Sequence, residues 1–379
     1  MRLAIYTDYI YRRDADGVSG ERAFVRFMTG LAPLVDELVL VGRVDPEPGR
    51  SHYALPPGVG FCGLPYYRSL THLREVVGSL WTSAVRFWRL MDDVDTVWLL
   101  GPQIHAIAFA LLATLRRRRV VLGVRQNLPV AVRNRHPGRR RLHWMADALE
   151  YTFKAMARRM PVAVVGPELA EGYARSRAVL EITVSLVSDE DLVSPDVALQ
   201  RPATGHVLSV GRLEREKNPL LLADVIAALR ADDPQVVLDV VGDGPMRADV
   251  EARLAELGAA DGAMLHGYVP IDGGLIELYR DAEVFLHVSW TEGLPQVLFE
   301  AFAAATPVVA TDVGGVAAAV GDAALLIPAG DAAAAAEAVA RVRSDPALRE
   351  RLVRAGAQRV REHTLEAEAR RLVAFLAGG

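Results

Sequence analysis

The sequence predicts an α/β protein built from two Rossmann-like domains, each a doubly wound parallel sheet, facing each other across a cleft. Three observations predict it. Short runs rich in Val, Ile and Leu alternate with longer helical patterns along all 379 residues, the order of βαβ units in a parallel sheet. That length exceeds what one core usually holds, so two domains are expected. The alternation pauses once, at SDEDLVSPDVALQRPATG (188–205), which is polar, holds two prolines and follows neither period. That stretch reads as a linker. It separates an N-terminal domain of residues 1–190 from a C-terminal domain of residues 205–360.

In the first domain the candidate strands are LAIYTD (3–8), ELVLVG (37–42), TVWLL (96–100), RVVLGV (119–124), VAVVG (162–166) and ITVSLV (182–187), with helical patterns over 21–34 and 139–159. In the second they are HVLSVGR (206–212), VVLDVVG (236–242), AMLHGYV (263–269), VFLHVSW (284–290), PVVAT (307–311) and AALLIPA (323–329). The Ala-rich run DAAAAAEAVARVR (331–343) is a strong helix former rather than low complexity. The last helical pattern, 364–377, lines up Leu365, Ala369, Leu372, Val373 and Leu376 and must pack on something.

Composition narrows the class. With 51% apolar and 24% charged residues the chain is an ordinary folded protein. A net charge of −4 does not suggest a nucleic-acid binder. The charge is uneven, with 26 Lys/Arg against 21 Asp/Glu in residues 1–200 and 17 against 26 in the rest. The single cysteine, Cys62, leaves no internal disulfide framework and fits a reducing, cytoplasmic setting. MRLAIYTDYIY begins as a strand, without the basic region and cleavage site of a signal peptide. The most apolar stretch, 98–115, is broken by Gly101-Pro102, leaving about a dozen residues where a bilayer span needs about 20.

Ligands of open α/β sheets bind beyond the carboxyl ends of the strands, so the residues just after strands carry the functional reading. Arg212 and Lys217 follow HVLSVGR. Lys217 stands out because 41 of the 43 basic residues are arginine and only Lys154 and Lys217 are lysine. A compact ammonium suits a phosphate or sugar oxygen as a point charge, whereas arginine suits planar bidentate contacts. VVGDGPMRADVEARLAEL (240–257) has Gly242 and Gly244 without a third glycine. It is an incomplete dinucleotide fingerprint, better read as a tight strand-to-helix turn. Glu292 and Gly293 precede a helix starting near Pro295, where free amides and a partial positive charge suit phosphate. Glu300, eight residues on in an apolar helix, is costly unless paired or hydrogen-bonded. Their separation of about 12 Å in helical rise is too long for the acid/base pair of a glycosidase. It suits two parts of one elongated ligand.

Glu292-GLPQVLF-Glu300 followed by AFAAATPVVATDVGG, together with GRLEREKN (211–218), VVGDGPMR (240–247) and LHGYVP (265–270), resembles the donor domain of the retaining glycosyltransferases of family 4. These have the GT-B fold. ADGVSGERAFVRFMTGLA (15–32) is similar to that family's glycine loop and first helix. The resemblance implies a cytoplasmic hexosyltransferase of polysaccharide or glycolipid biosynthesis. It would use a nucleotide-diphosphate sugar such as a UDP- or GDP-sugar as substrate, with no cofactor and no metal. Its acceptor would be a sugar, a lipid-linked sugar or a small molecule.

By the same resemblance Arg212 and Lys217 would hold the diphosphate as it leaves, and Glu292 would meet the sugar hydroxyls. The amides around Gly293 and Leu294 would face phosphate or sugar, Glu300 would accept the ribose hydroxyls, and Gly267, Tyr268 and Val269 would flank the base. The terminal helix would pack on the N-terminal domain.

Three departures stand out. Asp16-Gly17 replaces the family's Gly-Gly, which alters phosphate approach at Gly17. Pro295 replaces a glycine. After RVVLGV, where relatives carry a histidine near the anomeric centre, this chain has Arg125, Gln126 and Asn127. Arg125 or Asn127 is the favoured substitute for positioning the sugar, with His105 as the other candidate. Non-catalytic or weakly active nucleotide-sugar binding is the rival reading, with a sugar-nucleotide epimerase or a phosphorylase within the same fold. A phosphorylase would usually need a pyridoxal-type lysine, for which Lys154 and Lys217 are the only candidates. The basic run RNRHPGRRRLHW (133–144), with Arg116 to Arg119 and Arg158-Arg159, reads either as a solvated face or as a contact. A contact would be for anionic membrane at its inner face, or for an anionic acceptor.

Overall fold

The Val/Ile/Leu runs become the strands of two sheets, because strands covered on both faces need apolar residues on both. In the computed structural model, which describes residues 1–68, 72–270, 273–293 and 295–378, the chain divides into two units. One is residues 1–186 together with the segment from 365 onward, and the other is residues 187–364.

The first unit holds β1 (Arg2–Asp14), β2 (Gly17–Gly20), α1 (Phe24–Thr29), β3 (Glu37–Val44), β4 (Tyr53–Ala54), β5 (Val59–Leu64), α2 (Leu73–Leu90), β6 (Thr96–Gly101), α3 (Ile104–Leu115), β7 (Arg119–Val124), α4 (Leu128–Arg135), α5 (Arg140–Ala157), β8 (Val162–Val165), α6 (Pro167–Gly172) and β9 (Val179–Ile182). Parallel pairing runs β5-β3-β1-β6-β7-β8-β9, and β2 and β4 extend β1 antiparallel. One face of this sheet packs on α2, α3 and α5 through Phe87, Phe109, Ala110 and Phe153. The other packs on α1 and on the last helix of the chain, α15 (Leu365–Ala377), through Phe24, Phe27, Leu372 and Leu376. Arg119 ties that helix down by donating to the carbonyls of Phe375 and Leu376, two of the last-turn acceptors that lack a helical partner.

The second unit holds α7 (Pro195–Leu199), β10 (His206–Val210), α8 (Pro219–Asp232), β11 (Val237–Val241), α9 (Arg247–Glu256), β12 (Ala263–Gly267), α10 (Leu275–Asp281), β13 (Val284–His287), α11 (Gln296–Ala303), β14 (Val308–Thr311), α12 (Val316–Val320), β15 (Ala324–Ile327), α13 (Ala332–Ser344) and α14 (Pro346–Arg361). Its six strands are all parallel, in the order β12-β11-β10-β13-β14-β15. Their carboxyl ends therefore share one edge, and the loops after β10, β11, β12 and β13 meet there.

Four expectations are corrected. The first strand does not stop at residue 8 but continues to Asp14 and doubles back into β2, so ADGVSG is a hairpin rather than a strand-to-helix glycine loop. The Asp14 carboxylate pins that turn by accepting from the amides of Asp16 and Gly17 at 2.9 and 3.0 Å, and Gly17 supplies a φ of +138°. The helix expected over 21–34 shrinks to α1 and a 3₁₀ turn at Ala32–Leu34, interrupted by Gly30 and Pro33. The strand expected at 182–187 lies earlier, at β9. Residues 183–187 leave the sheet yet stay buried, because Val184 and Leu186 pack in the first unit's core and Val187 in the second's. Finally, 188–205 is not a free linker. Ala198 packs against Ala305 and Val353, and Arg201 donates to the carbonyls of Arg280 and Ala304 at 2.9 and 3.0 Å, capping the ends of two helices.

Leu372 is fully buried, so Leu372→Ala should destabilise by about 2–5 kcal/mol, read as a lower midpoint of chemical unfolding. The exposed Arg370→Ala on the same helix should stay within about 0.5 kcal/mol.

Candidate active site

Two loops build the site. The loop after β10 runs through a 3₁₀ turn, Arg215–Lys217, to Asn218, whose φ of +51° starts α8 from the left-handed region; Asn tolerates that conformation better than most residues. The loop after β11 nests against it. Leu213 donates to Asp243 and Met246 to Leu213, both at 3.0 Å. Gly242 has a φ of +131°, and a Cβ there would lie 1.9 Å from the Gly211 carbonyl oxygen. The incomplete GxG is thus a close approach of two loops, which sets Arg212 and Lys217 in place. The Trp290 amide donates to the Glu216 carbonyl at 2.9 Å, joining the loop after β13 to the same assembly.

Lys217 and Glu292 meet directly, with Nζ donating to Oε1 at 2.5 Å. The same oxygen accepts from Ser289 Oγ at 2.6 Å and lies 2.9 Å from His287 Nε2. Oε2 accepts no hydrogen bond among the described residues. Only 8% of the Glu292 side chain is exposed. Burial is the largest influence on its carboxyl and would raise its pKa. The hydrogen bond from His287, the Lys217 charge and hydrogen bond, and Ser289 together outweigh burial and hold the pKa down at about 2. Glu292 is therefore a carboxylate over the whole physiological range. Arg212, mostly exposed, is held by Glu214 and Glu216 at 2.7 Å each. A pocket of about 200 Å³ opens here, lined among others by Gly211, Arg212, Lys217, His287, Ser289 and Gln296.

Glu300 does not line that pocket. It sits one turn beyond Gln296, accepts from the Tyr279 hydroxyl at 2.8 Å, and borders a cavity of about 20 Å³ with Val187, Asp191, Ile276 and Tyr279. Its carboxylate is compensated in the way an apolar helix requires. Gly293 is exposed, and Leu294 lies outside the described residues. Gly267, with a φ of +73°, ends β12 and accepts from the Gly242 amide at 2.7 Å. Tyr268 is exposed, while Val269 packs on the core.

In the first unit the candidates are engaged internally. Arg125 is half-buried over the Phe24 ring at 3.8 Å and donates to the Tyr9 hydroxyl; desolvation lowers its guanidinium to about 10. Asn127 caps α4 by accepting from the Val130 amide at 3.3 Å. His105 is buried at the start of α3, 3.0 Å from Ser79 Oγ and stacked on Tyr67. Burial first, then the Arg43 charge, lowers it to about 4, so it is a neutral packed ring. Gly17 belongs to the hairpin turn. Lys154 lies 3.5 Å from Glu150 and over the Tyr173 ring.

Sequence reasoning missed His287 and Ser289. The signal was available in VFLHVSW, where a histidine and a serine two residues apart leave the end of a buried strand five and three residues before Glu292.

The match to a known family falls on this unit. Residues 200–359 match the family described as glycosyl transferases group 1. Among curated proteins, the chain is 36% identical over 174 residues to a 2-deoxystreptamine glucosyltransferase of Streptomyces kanamyceticus, a match covering 41% of this chain and 45% of that protein. It is 35% identical over 164 residues to a D-inositol 3-phosphate glycosyltransferase of Pseudarthrobacter chlorophenolicus, covering 42% and 39%. The chain thus spans less than half the length of the curated relatives it matches. Among solved structures it is similar to Anabaena HepE in complex with UDP, at 16% identity and a TM-score of 0.70 over 100% of both chains. It is also similar to WaaG, a glycosyltransferase involved in lipopolysaccharide biosynthesis, at 16% identity and a TM-score of 0.66 over 100% of both chains. The fold is that of the GT-B glycosyltransferases.

The Glu292 carboxyl titrates at about 2 in the folded chain and near 4.3 in an unfolded one. Its contribution to stability is full above the unfolded value and fades as pH falls towards 2. The stability difference between wild type and Glu292→Gln, measured by chemical denaturation at stepped pH, should therefore shrink below about pH 4.5.

Proposed function

We propose that the chain is a retaining glycosyltransferase moving a hexose from a nucleotide-diphosphate sugar to an acceptor hydroxyl. The observation that carries this reading is the Lys217–Glu292 pair beside a strand-end pocket that Lys217 and Arg212 line. In this reading the Lys217 ammonium and the Arg212 guanidinium take up the charge that develops on the departing diphosphate. They are preorganised electrostatics that act without a metal. To do so Arg212 exchanges the carboxylates of Glu214 and Glu216 for phosphate oxygens.

Glu292 keeps Oε1 on its three donors and offers Oε2 to sugar hydroxyls. Because its charge is fixed, it orients the sugar rather than trading protons. The departing phosphate assists attack on the same face of the sugar, so no covalent enzyme intermediate is required. Glu300, about 6 Å along α11 from Gln296 by helical rise, takes the ribose, and the backbone at 267–269 takes the base. The relatives named as a 2-deoxystreptamine glucosyltransferase and a D-inositol 3-phosphate glycosyltransferase, and the UDP bound in HepE, support the reaction class.

A second reading is nucleotide-sugar binding without efficient transfer. It rests on Arg125 and Asn127, whose polar atoms are occupied by Tyr9 and the Val130 amide, and on His105, which is buried against Tyr67 and Ser79.

A thermal-shift screen with UDP-, GDP-, ADP- and TDP-sugars tests donor binding. A ligand at 100 times its Kd should stabilise by about 2.7 kcal/mol, and the absence of a shift with all four would overturn the donor site. Release of nucleoside diphosphate in the presence of acceptor separates transfer from mere binding. Lys217→Ala should lower turnover about 10²–10³-fold. Glu292→Ala should lower turnover more than affinity, whereas Glu300→Ala should weaken nucleotide binding; normal binding by Glu300→Ala would return that residue to a packing role.

A further inference from the structure

The outer surface of α2, α3 and α5 departs from the usual pattern of surface helices. These three helices lie side by side on one face of the first unit's sheet, with α3 packed between α2 and α5. A helix on a protein surface carries charged residues on its outer side. The twelve residues of α3, IHAIAFALLATL, include no Asp, Glu, Lys or Arg, yet Leu111 and Leu115 are exposed, Leu115 at 72%.

Its neighbours continue the pattern. On α2, Val77 and Trp81 point outward at helical spacing, Trp81 being 79% exposed. On α5, Trp144 and Tyr151 do the same, each 73% exposed. Six large apolar side chains on three adjacent helices are more than scattered surface hydrophobes.

The rim and gaps of this patch are arginine. Arg74 and Arg89 on α2, Arg117 after α3, and Arg141 and Arg158 at the two ends of α5 are all exposed. The Arg116 guanidinium lies over the Trp88 ring at 4.6 Å. The three acidic side chains on these helices are already engaged: Glu75 by Arg68 at 2.8 Å, Asp147 by Arg133 at 2.8 Å, and Glu150 by Tyr173 at 3.0 Å. The patch therefore presents tryptophan, tyrosine and leucine within a field of positive charge.

We propose that this face docks on the surface of an anionic lipid bilayer. Tryptophan and tyrosine are the side chains that settle at the water–lipid boundary, and arginine around an apolar face is the composition of helices lying in that boundary. Among the described residues no helix is long and apolar enough to cross a membrane, so the contact is peripheral. A second copy of this chain fits less well, because its matching face would set arginines against arginines. The proposal rests on the surface of the first unit alone, so donor binding by the second unit can fail or hold without affecting it.

Co-sedimentation of the full chain with phosphatidylcholine vesicles, with and without phosphatidylglycerol, is the test. Binding should require phosphatidylglycerol and weaken steeply with added salt, since exposed charges are screened within about 10 Å at 0.1 M ionic strength. Trp81→Glu and Leu115→Glu should each weaken vesicle binding about tenfold while leaving the midpoint of chemical unfolding as in wild type, which shows that the variants fold. No preference for anionic vesicles overturns the proposal. So does binding that both variants retain, or a dimer in solution that Leu115→Glu dissociates.

Discussion

The ion pair between Lys217 and Glu292 is the constraint on which the second unit's strand-end edge is organised. Two opposite charges at a mostly buried position are expensive to strip of water, and attraction alone often fails to offset that cost. Here the carboxylate oxygen that meets the ammonium also meets His287 and Ser289, which is the additional hydrogen bonding such a pair requires. Holding the pair fixes the loops that bear it. Asn218 must enter the left-handed region so that α8 starts where Lys217 can turn back. Gly242 and Gly244 must lack side chains so that the neighbouring loop can close over Gly211 and Leu213. The glycines, the asparagine and the two charged residues are thus one mechanical unit spread over some 80 positions of sequence.

The first unit uses its polar residues differently. Asp8 within β1, Arg43 near the end of β3, Tyr67 after β5 and His105 at the start of α3 pack against one another. The Arg43 guanidinium lies over the Tyr67 ring and donates to the carbonyl of Tyr67. The Tyr67 hydroxyl donates to Asp8. Burial raises the Asp8 carboxyl to about 6, against the opposing pull of Arg43 and Tyr67. Arg125 follows the same logic, packed on Phe24 instead of facing solvent. In the second unit the buried Glu292 carboxylate stands beside a pocket, while Asp239 and Glu283 are paired internally with His206, His266 and Arg343. In the first unit buried charge is absorbed into packing, and the unusual chemistry lies on its outer helical face.

Part of this was legible in the order of residues. A strand such as RVVLGV at 119–124 has one covered environment on both faces, and composition alone records that. The sole lysine of the second unit was legible because arginine fills every other basic position there. The edge strand β5, VGFCGL, was not legible: it carries two glycines and half-exposed residues, so neither alternation nor a solid apolar run marks it. The segment 188–205 looked like a linker because its anchors, Ala198 and Arg201, meet partners far away in sequence, 79 and 103 residues on for Arg201.

The sequence by itself determined the alternation of strands and helices, the pairing of Arg212 with Lys217 in one loop, and the carboxylates at Glu292 and Glu300, because these depend on local periodicity and on residues near one another in the chain. Tertiary structure alone decided which partners those residues take. Glu292 finds Lys217 across 75 positions, Glu300 finds Tyr279, and Arg125 finds Phe24. It also decided that the apolar sides of α2, α3 and α5 face outward together. A helical pattern gives the width of an apolar stripe but not whether a neighbour covers it. That depends on which faces the sheet has already filled.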